Sequence, residues 1–151
     1  MSTVFKYTSA APLTELVLWS QTDGDASTNA KAALSINGLK RLKLFFGTGN
    51  NQLKFVSNTT LSINTWYAVY VDYNGGSTGV ASGDLSRYYS RFRIKLVDVA
   101  TGVVTGISSA GTWSNNSYGY TGDISGTFYV GSEFEDTDSF QGVISSVVVT
   151  T

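Results

Sequence analysis

Apolar residues recur at every second position along most of the chain, and clusters of Gly, Asn, Ser and Thr separate these stretches. A period of two is typical of a β-strand that buries one face, whereas no stretch has the helical period of 3.6. The pattern predicts ten short strands: 3–8, 15–20, 32–36, 39–46, 52–57, 66–73, 88–97, 102–107, 126–131 and 142–150. Many short strands with turn signals between them indicate an all-β sandwich of two antiparallel sheets.

The alternation also predicts which side chains face the interior. Five residues are expected in the core: Leu44, Phe55, Val69, Phe92 and Ile94. The cationic side chains that alternate with the last two should face solvent: Arg91, Arg93 and Lys95. Trp19 and Trp66 also lie in strand patterns and are expected in the core. The strand 142–150 is apolar on both sides, which predicts a central strand covered on both faces.

Turn residues punctuate the strands. Asn37 and Gly38 stand between two strand patterns and predict a two-residue hairpin turn. Asn74 and Gly75 mark a second place where the backbone takes positive φ, which Asn and Gly tolerate best.

Two motifs carry a family resemblance. The stretch 64–75 resembles the N-x-W-Y/H-x-V-x-x-x-Y-D/N-G strand and turn of laminin-G-like domains. Val130-Gly131, followed by Phe-Gln-Gly-Val-Ile at 140–144, is similar to the I/V-G … F-x-G-x-I/L ending of the same domains. These domains belong to the concanavalin A-like lectin/glucanase superfamily. The resemblance covers most of the chain and implies one antiparallel jelly-roll sandwich over residues 1–151.

The composition excludes several kinds of covalent link, metal site and catalytic site. The 151 residues include no cysteine and no histidine, which excludes disulfides, the usual zinc sites and triads built on His or Cys. The start of the chain has no apolar run after a basic segment, so no signal peptide is expected. The apolar runs are a few residues long, so no membrane span is expected.

Charge is distributed unevenly. Residues 1–95 carry all ten Lys and Arg and five acidic residues, whereas residues 96–151 carry six acidic residues and no basic one. Either the two parts interleave and their charges mix, or the surface is dipolar and orients assembly with partner subunits. The acidic pI of about 5.2 argues against nucleic-acid binding.

The densest acidic cluster lies at 133–138. Glu133 and Glu135 would share one face of a strand, a spacing that suits paired carboxylates. The cluster departs from the E-x-D-x-E and E-x-D-x-x-E motifs of the superfamily's glucanases, because Glu135 stands where Asp is needed and Thr137 or Asp138 where the last Glu is needed. We therefore expect no enzymatic activity. Asp136 and Asp138 are calcium candidates, the alternative being a plain solvated loop, and no other cofactor is expected.

The best binding candidate is the segment 113–123. Aromatic rings stack on the apolar faces of sugars, and Asn and Asp bond their hydroxyl groups. Both residue types occur there: Trp113, Asn115, Asn116, Tyr118, Tyr120 and Asp123. The alternatives are that these aromatics pack over the sandwich edge or form a protein interface, where Tyr and Trp are also enriched.

These observations lead to one functional hypothesis. Phage particles leave the cell by lysis, so their proteins need neither signal peptides nor disulfides, and small Gly/Ser/Thr/Asn-rich β domains resembling this family occur on capsids, tails and fibres. The hypothesis is a non-enzymatic module on the virion surface, made in the host cytoplasm, that attaches to other virion proteins or to copies of itself and contacts host glycans. The alternatives are an autonomous soluble lectin and, more remotely, a glycoside hydrolase.

Overall fold

The computed structural model of the chain describes residues 1–9, 15–22, 30–48, 51–73, 92–109, 128–131 and 140–149. These residues form eleven β-strands and no helix. The strands are β1 (Ser2–Tyr7), β2 (Leu16–Thr22), β3 (Ala30–Ile36), β4 (Leu42–Thr48), β5 (Asn51–Ser57), β6 (Trp66–Tyr73), β7 (Phe92–Asp98), β8 (Val104–Thr105), β9 (Ile107–Ser109), β10 (Phe128–Val130) and β11 (Gly142–Val148). The all-β class predicted from the alternation is confirmed.

The strands form two antiparallel sheets. The five-stranded sheet has the order β11-β1-β6-β7-β8, and the six-stranded sheet has the order β10-β2-β3-β4-β5-β9. After β1 the chain makes a four-strand meander in the six-stranded sheet, and it returns at β6 to the five-stranded sheet. The inward sides of both sheets meet in one apolar cluster, which makes the fold a β-sandwich.

The interior follows the period-two pattern. The five-stranded sheet contributes Phe5, Tyr7, Val69 and Leu96, and the six-stranded sheet contributes Trp19, Leu34, Ile36, Leu42, Leu44 and Phe55. The core predictions for Leu44, Phe55, Val69 and Trp19 are confirmed. Phe92 and Ile94 face inward and pack against this cluster while remaining partly buried. Arg93 and Lys95 are exposed as predicted, and Arg91 lies outside the described residues.

Three hydrogen bonds satisfy polar groups inside the sandwich. Trp19 Nε1–H donates to Thr3 Oγ1 over 3.1 Å, which links the two sheets through their interior. The Tyr7 hydroxyl donates to the Leu61 carbonyl over 2.7 Å, and the Tyr67 hydroxyl accepts the Ser62 N–H over 2.9 Å. A buried polar group is costly without a partner. The two tyrosine bonds therefore fix the loop between β5 and β6 against the end of the five-stranded sheet.

The residues that carry the family resemblance have local roles in the fold. Asn64 takes a φ of 60°, and its N–H donates to the Tyr7 carbonyl over 2.9 Å just before β6 begins. Gly131 takes a φ of 81° after β10. A Cβ atom at Gly142 would lie 2.2 Å from the Lys6 carbonyl oxygen. Glycine at 142 is therefore required for β11 to approach β1.

The prediction that 142–150 is a central, covered strand is wrong. Among the described strands, β11 lies at the edge of the five-stranded sheet and has β1 as its neighbour. Ile144 and Val147 pack against the core, whereas Val143 and Val148 are each 47% exposed. A strand that is apolar on both sides has the same sequence pattern whether its second side is covered or open. Trp66 also departs from its core assignment, since it is only half-buried and faces away from the interior.

The predicted two-residue turn at Asn37 and Gly38 is also wrong, because the paired strands end at Ile36 and Leu42. The Lys40 N–H donates to the Asn37 carbonyl over 2.8 Å, and Lys40 takes the positive φ of 58°. The Asn37 side chain accepts the N–H groups of Leu39 and Arg41, each over 3.0 Å. The Asn37 N–H also donates to the Arg41 carbonyl over 2.9 Å, so residues 38–40 form the loop. It is a β-turn followed by a left-handed residue, the usual form of a three-residue hairpin loop.

The predicted strand 102–107 is two strands that belong to different sheets. β8 pairs with β7 in the five-stranded sheet, and β9 pairs with β5 in the six-stranded sheet. Gly106 separates them, and its carbonyl accepts the Asn58 N–H over 2.9 Å. The chain therefore crosses from one sheet to the other within a single residue.

Candidate interaction surface

The site residues predicted from the sequence lie outside the described residues. These are the binding candidates Trp113, Asn115, Asn116, Tyr118, Tyr120 and Asp123, the calcium candidates Asp136 and Asp138, and the acidic pair Glu133 and Glu135. The two Asn74–Gly75 turn residues lie outside them as well. In the part of the chain that the structure describes, the most distinctive surface belongs to the five-stranded sheet.

We call the side of this sheet that points away from the interior the outer face. Strand register places one residue of each strand side by side across it: Ser146, Val4, Ala68, Val97 and Val104. Four of these five side chains are apolar: Val104 is 58% exposed, Val4 and Val97 are half-buried, and Ala68 is buried. An antiparallel sheet with one side in water normally alternates apolar and polar residues, so an apolar row on the solvent side indicates a contact surface.

A second row on the outer face contains the half-buried Trp66. Lys6 lies opposite Trp66 and Val143, and its Nζ atom is 5.2 Å from the centroid of the Trp66 ring. At this distance the ammonium group interacts favourably with the ring face. The Val99 N–H donates to the Trp66 carbonyl over 2.9 Å, which brings a valine that is 52% exposed beside the indole.

A third row runs through Val148, Ser2, Tyr70 and Lys95. Tyr70 is 50% exposed and lines a hollow of about 270 Å³ together with Met1, Ser2, Val71, Asp72 and Val148. The hollow lies where β11, β1 and β6 are neighbours. An amphipathic tyrosine in such a place offers both an apolar contact and a hydroxyl for hydrogen bonding.

The charges on the outer face are mainly positive. Lys6, Arg93 and Lys95 lie on it, and the acidic residue placed there by the register is Asp72, opposite Arg93. Apolar rows flanked by cationic groups are complementary to a partner surface that is apolar with acidic groups around it.

The six-stranded sheet has a different solvent side. The Glu15 carboxylate accepts the Lys43 ammonium over 2.6 and 2.8 Å, and it also accepts the hydroxyl of Ser35, which is fully buried. Lys43 Nζ also lies 5.7 Å from the centroid of the Phe45 ring. All of these contacts are made within the chain, so this cluster is a structural one. Sequence reasoning did not find it, because Glu15 and Lys43 are far apart along the chain and follow no motif.

Tyr7 is a fully buried titratable residue at the end of β1. Burial, followed by the neighbouring Tyr67, raises the pKa of Tyr7 above its usual value near 10. The Tyr7 hydroxyl is therefore held as a hydrogen-bond donor to the Leu61 carbonyl. Among the described residues no three acidic side chains cluster so as to hold a metal ion. None of these segments forms a helix long and apolar enough to cross a membrane.

Fold and surface together define a β-sandwich with an apolar, cationic outer face on one sheet. No family model matches the chain, and no curated protein and no solved structure matches it significantly.

Sequence reasoning did not single out the outer face, although two signals were present. Val97, Val99, Val103 and Val104 fall within eight residues, and the last three are more than half exposed. The second signal was the stretch 143–149, which is apolar on both sides and was interpreted as covered. Both signals are apolar residues at positions where alternation predicts solvent exposure, but the sequence does not show that they belong to one sheet.

Proposed function

We propose that this chain is a non-enzymatic module of a bacteriophage particle, a capsid decoration or a component of a tail or fibre. In this proposal the outer face of the five-stranded sheet docks on the particle, and the segment 113–123 faces outward and contacts host glycans. The observation that carries the docking step is the row Val4, Ala68, Val97 and Val104, which is apolar on the solvent side of its sheet.

The chemistry of the outer face favours a stable attachment. Trp66 and Tyr70 supply amphipathic aromatic surface, the residue type most often responsible for binding energy at protein interfaces. Lys6, Arg93 and Lys95 surround the apolar rows and would orient the approach of an acidic partner surface. Such a face suits a protein that remains attached to a larger assembly.

We further propose that the sandwich is a jelly roll of the concanavalin A-like type. Its support is the nested order of the strands. β1 and β2 are neighbours of β11 and β10 in their respective sheets, so the first two strands lie alongside the last two across both layers. Glycan contact through Trp113 and Tyr118 and calcium at Asp136 and Asp138 remain predictions.

Two valine variants test the docking step. Val104 and Val130 are 58% and 52% exposed and belong to different sheets, since β8 lies in the five-stranded sheet and β10 in the six-stranded one. Val104→Lys should weaken co-sedimentation with particles of the encoding phage that lack this protein. Val130→Lys is the matched control and should leave co-sedimentation unchanged. Equal attachment of both variants and of the wild type would contradict docking through the outer face.

A second experiment separates the functional classes. Glycan-array binding that disappears in Trp113→Ala, without any attachment to particles, would make the autonomous lectin the better description. Hydrolysis of a β-glucan that is lost in Glu133→Gln or Glu135→Gln would instead show an enzyme. The proposal expects no hydrolysis and attachment that survives all three substitutions.

A further inference from the structure

The described edges of the two sheets are not alike. The edge strands β8, β9 and β10 have two, three and three residues, whereas β11 has seven. Edge strands leave backbone N–H and C=O groups open to pairing with another chain, and natural proteins protect them by shortness, charge or proline. Three of these edges are protected by being short, and β11 is not.

The sequence of β11 also lacks charge and proline as protections. Its sequence, Gly-Val-Ile-Ser-Ser-Val-Val, contains no charged residue and no proline. Val143 and Val148 are each 47% exposed on the outer face. A long, neutral, valine-rich edge is suited to pairing with another strand, and its own sequence indicates which strand.

We propose that β11 pairs antiparallel with β11 of a second copy of this chain, which joins two five-stranded sheets into one continuous sheet. The residues 143–148 are nearly palindromic in chemical type: Val-Ile-Ser-Ser-Val-Val. Antiparallel self-pairing about the bond between Ser145 and Ser146 places Val143 opposite the second copy's Val148. The same register places Ile144 opposite Val147 and Ser145 opposite Ser146.

An irregularity in β11 makes this register compatible with the sheet faces. Opposite residues must lie on the same side, yet strict alternation would put Val143 and Val148 on different sides, because they are five positions apart. The register with β1 shifts at this point, since Val4 faces Ser146 and Phe5 faces Ile144. Ser145 therefore has no opposite residue on β1, as in a β-bulge. Beyond it the alternation is reversed, so Val143 and Val148 both lie on the outer face, and Ile144 and Val147 both face inward.

The pairing would satisfy the open edge of β11 in each copy. Backbone groups of β11 gain hydrogen-bond partners, and valines of the two copies meet on the outer face. The two serines meet at the two-fold axis, where hydroxyl groups can bond each other. The two outer faces become one surface of twice the area. This inference does not depend on attachment to a particle, because it rests on β11 alone.

Sedimentation of the purified chain over a wide concentration range tests the proposal. The wild type should dimerise. Ser145→Lys should raise the dimer Kd by about 100-fold, because the two-fold axis brings like charges together. Ser145 is exposed and has no residue opposite it on β1, so the monomer should keep its thermal stability. Thr60→Lys, at an exposed position in the loop before β6, is the control and should leave dimerisation unchanged.

A charge-reversal mixture tests whether the contact is between two copies of the same strand. Copies with Ser145→Lys mixed with copies with Ser145→Asp should form mixed dimers, although each variant alone is monomeric. This rescue requires position 145 of one copy to lie near position 145 of the other.

Cysteine cross-linking tests the register, and the absence of native cysteine keeps the result clean. A mixture of copies with Val143→Cys and copies with Val148→Cys should form a disulfide, since opposite residues have Cα atoms about 4.5–5.5 Å apart. Val143→Cys alone should not, because its two copies would be about 17 Å apart along the strand. A wild type that stays monomeric would overturn the proposal, as would a dimer that Ser145→Lys leaves intact.

Discussion

The two sheets of this sandwich differ on their solvent sides. On the six-stranded sheet, the outward residues Ser20, Ala33 and Ser35 are small and at most 2% exposed, and Ser35 bonds the Glu15 carboxylate that also binds Lys43. On the five-stranded sheet, the outward residues include Val104, Val143 and Val148, which are 47–58% exposed. One solvent side is closed by contacts within the chain, and the other leaves apolar groups open to water.

This difference predicts which substitutions affect the stability of the chain and which affect its association with a partner. Alternation along a strand identifies the inward residues, but it does not say whether the outward residues are satisfied by their own chain. Substitutions on the closed side should therefore affect the free energy of unfolding, and substitutions on the outer face should affect association. The two sheets share one interior, so substitutions there are the reference for the loss of stability on either solvent side.

Substitutions in the interior should cause the largest loss in free energy of unfolding. Trp19 is fully buried and donates to Thr3 across the sandwich. Trp19→Ala should lower the free energy of unfolding by about 3–5 kcal/mol, because it leaves a cavity and an unpaired Thr3 hydroxyl. Urea denaturation measures this. Trp66→Ala, on the outer face, is the control and should cost much less, and equal losses would mean that the two tryptophans occupy equivalent environments.

The closed side of the six-stranded sheet should tolerate little change. Ser35→Ala removes the buried hydroxyl that donates to Glu15, which should cost about 1–2 kcal/mol in free energy of unfolding. The matched substitution on the outer face, Ser146→Ala, should cost less than about 0.5 kcal/mol. The contrast would fail if thermal or urea unfolding gave the same loss for both serines.

Alkaline pH should destabilise the chain through the inward side of the five-stranded sheet. The pKa of Tyr7 is raised in the folded chain, so above pH 10 the unfolded chain loses this proton first. The stabilising effect is complete below pH 10 and is lost as the pH rises through the folded pKa. Tyr7→Phe should cost about 0.5–1.5 kcal/mol at neutral pH and should flatten this decline.

Unfolding midpoints measured between pH 8 and about 12 check the alkaline prediction. Tyr70→Phe, on the outer face, is the control and should retain the wild-type decline. The assignment to Tyr7 is contradicted if both variants decline as the wild type does.

The smallest effect on stability is expected at the most exposed part of the outer face. Val104→Ser should change the free energy of unfolding by less than about 0.5 kcal/mol, because Val104 is 58% exposed. The same substitution should reduce attachment to the proposed partner, measured by co-sedimentation. A large loss of stability at Val104 would show that this valine serves the fold and would remove the contrast between the two sides.

The sequence predicted those features that depend on neighbouring residues. The inward direction of Leu44, Val69 and Ile94 follows from local alternation, and the structure confirms it. The prediction of a two-residue turn before β4 was wrong. The number of residues between the paired strand ends sets the loop type. Lys40 consequently takes the positive φ although Gly38 is two residues away.

Features that depend on distant pairing were not predictable. Nothing near 142–150 specifies that β1 pairs with β11 at the edge of the described sheet, so the local pattern predicts a central strand instead. The division of 102–107 between two sheets likewise depends on β5 and β7, which are remote in sequence. The candidate site residues were chosen by type, at Trp113 and Asp136 for example, and they remain predictions because they lie outside the described residues.

The pairing of β1 with β11 also determines when the chain can finish folding. Their ladder joins residues between 135 and 146 positions apart, from Tyr7 with Gly142 to Ser2 with Val148. Contacts of such long range form late, because closing the loop between them costs entropy before the contact is made. At a synthesis rate of about 5–20 residues per second, β1 waits roughly 7–30 seconds for its second neighbour. During that interval β1 is itself an open edge, so the risk of aggregation depends on the speed of translation as well as on the folded surface.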